Sequence, residues 1–280
     1  MSEMGKAASA IAVPLRAGGG WALRAGGSFF ELLRTARGLG AFFLISLGVG
    51  VTKRGVARGL IYPMARREMA RVGVKLLPMV AFMSVGMGFL IIGQTVSILT
   101  RVGAQDLTGS IMVAVVVREL GPAVTALLML TKVGTGAVVE LGTARALGEV
   151  EALEALGIDP VHYLVIPRIV GMALSNFALT IYCVLMTLAG GYFVAFLQNV
   201  PLAPGVYMEQ IARSLQWIDF VLVTLKTLVF GGVIAMTCCY EGVAQPLRLA
   251  EVSEATNRAV MTSVVLCVFF DAIFLLQMLI

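Results

Sequence analysis

A chain of 280 residues with 59% hydrophobic side chains, only 13% charged ones and a mean hydropathy of +0.94 lies far outside the composition of water-soluble domains. That composition excludes a soluble enzyme and a disordered chain, and leaves a protein that crosses the bilayer several times. The formal charge of +5 follows from where basic residues sit relative to a membrane and calls for no nucleic acid.

Residues 1–75 read as a cytoplasmic N-terminal extension. They carry 12 Lys/Arg against the three acids Glu3, Glu31 and Glu68, which by the positive-inside rule places the N-terminus in the cytoplasm. Trp21 to Gly40 mixes Trp21, Phe29, Phe30, Leu32 and Leu33 with Arg24, Arg34 and Arg37, the pattern of an amphipathic helix lying in the membrane interface. The apolar run Gly38 to Thr52 is shorter than the roughly 20 residues a span requires and suits the same interface. Ala7 to Leu15 is a poor core for a signal peptide.

Residues 76–280 then read as a domain of five spans. Leu76 to Thr100 is uncharged and long enough to cross a hydrocarbon core of about 30 Å. Leu107 to Val139, Trp217 to Tyr240 and Ala259 to Ile280 qualify once internal charges are tolerated. Ile169 to Met208 exceeds one span and holds a helix plus part of an external loop, because Gln198-Asn199-Val200-Pro201 and Pro204-Gly205 are turn chemistry. An odd number of spans puts the C-terminus on the periplasmic side. The fold class is therefore an all-α membrane protein.

Thr143 to Gly157, between the second and third spans, reads as a short cytoplasmic helix. Thr143 can cap its start, Arg145 and Glu149 form an i,i+4 pair, Gly157 suits its end, and Asp159-Pro160 restarts a helix. Leu147, Val150, Leu153 and Leu156 form an apolar stripe, while Glu149, Glu151 and Glu154 occupy the other sides. A short two-faced helix between spans is suited to docking in the groove of a soluble partner.

Charges inside the spans are the second signal. At about 1.5 Å per residue, Arg118 and Glu119 lie about 16 Å from Leu107, Lys226 about 13 Å from Trp217 and Asp271 about 18 Å from Ala259, which places all four near the bilayer midplane. An unpaired charge there costs about 3 kcal/mol on the lenient insertion scale, so they should face inward and neutralise one another. Adjacent Arg118 and Glu119 point about 100° apart, and each needs a partner from another segment. Such groups either fix helix rotation or line a substrate path. Lys132, about 21 Å beyond Arg118, should reach the cytoplasmic surface.

Other chemistry is sparse. Cys183, Cys238, Cys239 and Cys267 all fall in spans, where free thiols act as small apolar fillers. His162 is the single histidine, so no metal site is expected. No phosphate-binding loop, serine elbow or H-E-x-x-H occurs. The chain is not expected to be an enzyme, and energy would come from a partner or an ion gradient.

From about Arg66 onward the sequence resembles the MlaE-type permeases, membrane subunits of ABC transporters that move phospholipids or other lipids together with MCE-domain proteins. The resemblance rests on Arg118-Glu119-Leu120-Gly121-Pro122, Glu140-Leu141-Gly142-Thr143, the acidic segment after it, Gly157-Ile158-Asp159-Pro160 and Tyr163-Leu164-Val165-Ile166-Pro167-Arg168. A second match is Ala255-Thr256-Asn257-Arg258-Ala259-Val260 followed by Asp271. It implies a homodimeric permease of a bacterial inner membrane, with an interfacial helix, five spans per subunit and a role in outer-membrane lipid asymmetry. It implies an ATPase subunit carrying ATP and Mg on the coupling helix, where Arg145, Glu149, Glu151, Leu153, Glu154, Leu156, Gly157 and Asp159 match, and no cofactor in this chain. It further implies a lipid path including Arg118, Glu119, Lys226 and Asp271 and a first-span pocket at the dimer axis around Ile91, Gln94, Ile98 and Leu99. Asp219 and Arg258 match further charged positions. Three departures stand out: Lys132 for Arg, Glu151 for Asp, and Ala250-Glu251-Val252-Ser253-Glu254 in place of a Gly-rich stretch. About twenty N-terminal residues have no counterpart. An ion-coupled carrier and a non-transporting anchor for an extracytoplasmic complex are the alternatives.

Overall fold

The computed structural model describes residues 54–104, 107–197, 204–243 and 248–279. The interfacial helix expected over Trp21 to Gly40 and the run Gly38 to Thr52 lie outside these residues. Helix α1, Arg54–Val102, is 49 residues long. It passes residue 76, the expected start of the first span, without a break. Helix α2 spans Thr108–Ala146 and contains two π-helical stretches, Val113–Leu120 and Leu130–Gly134. The short helix α3, Glu149–Ala155, follows. A π-helical turn at Val161–Val165 leads into α4, Ile166–Leu197. Helices α5 (Pro204–Ser214) and α6 (Trp217–Val243) come next, and a 3₁₀ turn at Leu249–Glu251 opens α7, Val252–Leu279.

Five of these segments are long and apolar enough to cross a membrane: Pro63–Leu99, Thr108–Ala146, Val161–Phe193, Trp217–Val243 and Leu249–Gln277. They fall where hydropathy places the five expected spans, each one longer at the end that bears α3. The excess is polar, which is why an apolar-run criterion clips it: Glu68, Arg71, Glu140, Arg168 and Arg258 all sit on helical turns beyond the uncharged cores.

Helix α4 is the centre of the bundle, packed most extensively on α1 and then on α6. The α1–α4 contact is close because it is built on small residues: a Cβ at Gly88 would meet the Thr187 carbonyl oxygen at 2.4 Å and one at Gly191 would meet the Ile92 side chain. In a bilayer, where burial from water does not drive helices together, such backbone approach supplies the packing. The main core gathers Leu76 and Val80 of α1, Met129 and Val138 of α2, Met172 and Leu179 of α4, and Phe230 and Ile234 of α6. A second cluster lies at the opposite end from α3 and joins Ile92 and Val96 to Met112, Val116, Tyr207 and Ile211.

That second cluster explains α5. The run expected to continue to Met208 as a loop instead forms a separate helix whose Tyr207 and Ile211, one turn apart, are buried against the first turns of α2. Gly109 makes this possible, since a Cβ there would strike the Gln210 backbone at 2.5 Å. Burial pushes the Tyr207 phenol up to about 12. Helix α7 is the least buried of the five, with Met261, Val265, Val268, Phe269 and Leu276 exposed.

Candidate functional site

The intramembrane charges form one cluster. Arg118 donates from Nη2 to Asp219 at 3.0 Å, with Nε 2.9 Å from the other carboxylate oxygen. Lys226, 4% exposed at its side chain, lies between Glu119 (2.7 Å) and Asp271 (2.6 Å) and also donates to the Arg118 carbonyl oxygen at 3.1 Å. The expected pairing holds for Glu119, Lys226 and Asp271, whereas Arg118 is paired by Asp219, outside the expected four, so that three acids face two cations. Asp219 also accepts the Gln216 backbone N–H at 2.9 Å, so the first turn of α6 holds it in place.

Two geometric features make these contacts. Asp219 and Lys226 are seven residues apart on α6, on one face and about 10.5 Å from each other along the axis. Arg118 and Glu119, consecutive on α2, reach one each. The π-helical stretch Val113–Leu120 holds them where an added residue per turn displaces side chains from regular α-helical positions, a device common at functional sites.

Along the full helices the cluster lies toward the α5 end. Arg118 is paired to the third residue of α6, and Asp271 lies about 12 Å from the end of α7 but about 28 Å from Val252. The first turns of α2 lie beyond the start of α6 and pack on α5. The charges accordingly sit in the half of the bundle near α5. A polar cleft of about 780 Å³ between α2 and α5, lined by Ser110, Arg118, Glu209, Gln210, Arg213 and Gln216 among others, descends to Arg118. On the other side of the cluster a small apolar groove of about 100 Å³ runs from Asp271 between Leu127, Leu130, Phe230, Ile234 and Val268.

The first-span positions divide. Gln94 and Ile98 are exposed, Ile91 is half-buried against the second core cluster, and Leu99 is buried at 8% exposure. Gln94 and Ile98 thus lie on a surface of the subunit, whereas Leu99 points into its own core.

At the opposite end, the segment between α2 and α4 differs from the single capped helix expected over Thr143 to Gly157. Helix α2 runs on through Thr143 to Ala146, and the chain turns at Gly148 with φ of 78° before α3 starts. Thr143 is thus interior to α2, its carbonyl accepting the Leu147 N–H at 3.0 Å. Arg145 pairs with Glu151 at 3.3 Å instead of Glu149, because the turn carries Glu149 away from the α2 face and brings Glu151 back to it. Gly157 ends α3 as expected, with φ of 74° and the Ile158 N–H bonded to the Leu153 carbonyl at 3.0 Å. Asp159 caps the next turn by accepting the Val161 N–H at 3.0 Å. Of the apolar stripe, Val150 is buried, Leu153 half-buried, and Leu147 and Leu156 exposed beside the exposed Glu149, Glu151 and Glu154. Lys132 is exposed on the second π-helical stretch.

Two further ion groups lie at this end. Arg258 contacts Glu241, 4% exposed, and Glu254, each at 3.2 Å. Glu68 and Arg71 of α1, Glu140 of α2 and Arg168 of α4 form a closed ring of alternating charge. Nothing in the local sequence pattern groups these four, although each is a charge at the edge of an apolar run.

Five helices long and apolar enough to cross a membrane, with ion pairs buried among them, define a polytopic membrane protein. Residues 65–276 match the family model described as Permease MlaE. The chain belongs to the MlaE permease family. A probable ABC transporter permease protein of Rickettsia prowazekii is 28% identical over 200 residues, 71% of this chain and 77% of the relative. The chloroplastic protein trigalactosyldiacylglycerol 1 of Arabidopsis thaliana is 30% identical over 203 residues, 71% of this chain and 57% of that protein. A probable ABC transporter permease protein of Synechocystis is 31% identical over 173 residues, 62% and 65% of the two chains.

Proposed function

We propose that this chain is the membrane subunit of an ABC transporter that moves phospholipid or a related lipid between the inner membrane and an extracytoplasmic MCE-domain partner, driven by a separate ATPase. The observation that carries the reading is the family match over residues 65–276, which takes in the five described spans but for two residues at the start of the first and one at the end of the last. The excess of basic over acidic residues in positions 1–75 supports an orientation with the α3 end in the cytoplasm and the α5 end, with its cleft and charge cluster, on the periplasmic side. In this arrangement α3 seats on the ATPase through Leu147, Leu156 and the acidic residues around them. Two copies associate, and the exposed face of α1 carrying Gln94 and Ile98 borders the lipid path between them.

The chemistry asked of the chain is physical transfer. An acyl chain requires an apolar wall, and a headgroup requires charge that is already desolvated and fixed. The cluster supplies the second: Arg118 at the floor of the cleft is oriented by Asp219, and Lys226 is held by two carboxylates, so none reorganises when a headgroup arrives. ATP binding and hydrolysis take place in the partner; this chain's part is to convert movement at α3 into exposure of the path.

The test is purification of the intact complex from its native membrane, with identification of the chains and lipids that accompany it. An ATPase, an MCE-domain protein and phospholipid are expected. Photocrosslinkers at Gln94 or Ile98 should capture lipid more strongly than at Phe82, which is 80% exposed. Transport that persists without any ATPase would favour an ion-coupled carrier and overturn the reading.

A further inference from the structure

The ring at the α3 end stands outside every role given so far. Arg71 contacts Glu68 at 3.1 Å and Glu140 at 3.3 Å, and Arg168 contacts Glu140 at 2.9 Å and Glu68 at 3.6 Å. The four charges alternate around the ring and sum to zero. Three helices meet in it: α1 gives Glu68 and Arg71, α2 gives Glu140, and α4 gives Arg168. Its anchor is Arg168, with a side chain 10% exposed, which also donates to the Ala137 carbonyl oxygen of α2 at 3.5 Å. Gly171, one turn further along α4, lies so close to α1 that a Cβ would meet Glu68 at 2.9 Å.

The ring is also close in sequence to α3. Glu140 is less than two turns from the end of α2, and across the Gly148 turn Arg145 of α2 holds Glu151 of α3 at 3.3 Å. Val150 of α3 is buried at 1% exposure, so α3 and the end of α2 are fastened by an ion pair and by packing. A push on α3 therefore crosses the Gly148 turn through the Arg145–Glu151 pair, reaches Glu140 through less than two turns of α2, and there meets α1 and α4 together.

We propose that Glu140 and Arg168 are positioning residues for coupling: with Glu68 and Arg71 they form a strut that carries movement of α3 into α1, the helix whose exposed face borders the lipid path. This rests on the ATPase-driven reading above. Isolated surface ion pairs transmit little, because water and mobile side chains absorb displacement. Here the central guanidinium is nearly buried and bonded to two helices besides its own, so moving α2 without α1 would strip a desolvated charge of its partners. The strut holds through the cycle instead of opening, and it moves α1, α2 and α4 as one body at this end.

The experiment uses the complete complex in proteoliposomes and reads lipid moved per ATP hydrolysed. Glu140→Gln, at a half-exposed position, folds even if Arg168→Gln does not. In Glu140→Gln, ATP turnover stays within about twofold of the parent while lipid moved per ATP falls by about fivefold, the scale of a severed coupling path. Arg168→Lys, which keeps the charge, loses less than Arg168→Gln. An unchanged ratio in Glu140→Gln and Arg168→Gln, whether or not both rates decline together, overturns the proposal. Hydrogen exchange separates this from failure of the ATPase reading. In the parent complex ATPase docking slows exchange in residues 64–75, and in Glu140→Gln it does not; equal slowing in both overturns the strut. An ATPase that neither docks nor hydrolyses ATP in response to lipid in the parent overturns the reading on which the strut rests, and the strut with it.

Discussion

The two ion groups at opposite ends of the bundle are built from the same residue types and differ in burial and in balance of charge. Near α5, Lys226 and Asp219 are almost wholly buried, and the acids Glu119, Asp219 and Asp271 outnumber the cations Arg118 and Lys226. Near α3 the ring balances its charges, and Arg71 and Glu140 are more than half exposed at their side chains. The difference teaches that pairing alone does not define a site. In the buried group two carboxylates share the one ammonium of Lys226, whereas in the partly wet ring every charge has two opposite neighbours.

The comparison breaks most readily at Lys226. Lys226→Met leaves Glu119 and Asp271 desolvated without their shared cation, and we expect about 3–5 kcal/mol of destabilisation, the scale for stripping one partner from a buried pair. The readout is loss of the detergent-stable protein in a thermal-shift series. Adding Asp271→Asn alone does not repair it, because Glu119 remains. The triple variant Glu119→Gln/Lys226→Met/Asp271→Asn should regain thermal stability while lipid transport stays low. Recovery of transport in that variant would reduce the cluster to a helix fastener.

Arg118→Lys sharpens the same half of the comparison with a smaller effect. An ammonium cannot reproduce the two contacts to Asp219, and about 1–3 kcal/mol of stability is expected to go. Transport should fall more than stability does if Arg118 at the cleft floor meets headgroups. Equal decline in both would assign Arg118 to structure.

At the other end, Glu151→Lys with Glu154→Lys gives up the half-exposed Arg145–Glu151 pair and should cost about 1 kcal/mol of thermal stability at most. The same change should weaken ATPase association by about tenfold through charge reversal at the contact. Sedimentation or pull-down with the ATPase reads the second effect. Undiminished association would remove α3 from the interface.

The smallest effect concerns α5. Tyr207 ionises near 10 when unfolded and its folded phenol is raised to about 12 by burial. The folded form keeps its proton more tightly, so the full stability is present below pH 10 and is lost as the pH rises from 10 toward 12. Alkaline titration at the tyrosinate absorbance, compared with Tyr207→Phe, should show the late ionisation and a loosening of α5 absent from the variant.

Much of this was legible in the residues. Hydropathy located five spans, because a helix crossing lipid must satisfy its own backbone and be apolar over about 20 residues. Gly157 and Asp159-Pro160 signalled the end of α3 and the start of the next turn, since those signals are local. The inward pairing of Glu119, Lys226 and Asp271 followed from the cost of a lone charge in hydrocarbon. The turn at Gly148 was not legible: a glycine between two helix-forming stretches is compatible with one helix or two, and only the buried contacts of Val150 decide for the bend.

The amino-acid sequence by itself determined the membrane class, the number of spans, the segments that carry charge and the family, because those depend on composition and on patterns within a few turns. Tertiary structure alone decided which charges meet. Arg118 and Asp219 are 101 positions apart, and Arg71 and Glu140 are 69. Their meeting depends on how far α2 rises past α6, on the π-helical stretch that sets the direction of Arg118 and Glu119, and on the close glycine contact that fixes the height of α1 against α4. Those are properties of packed helices, set by relative position and rotation, and no periodicity within one segment encodes them.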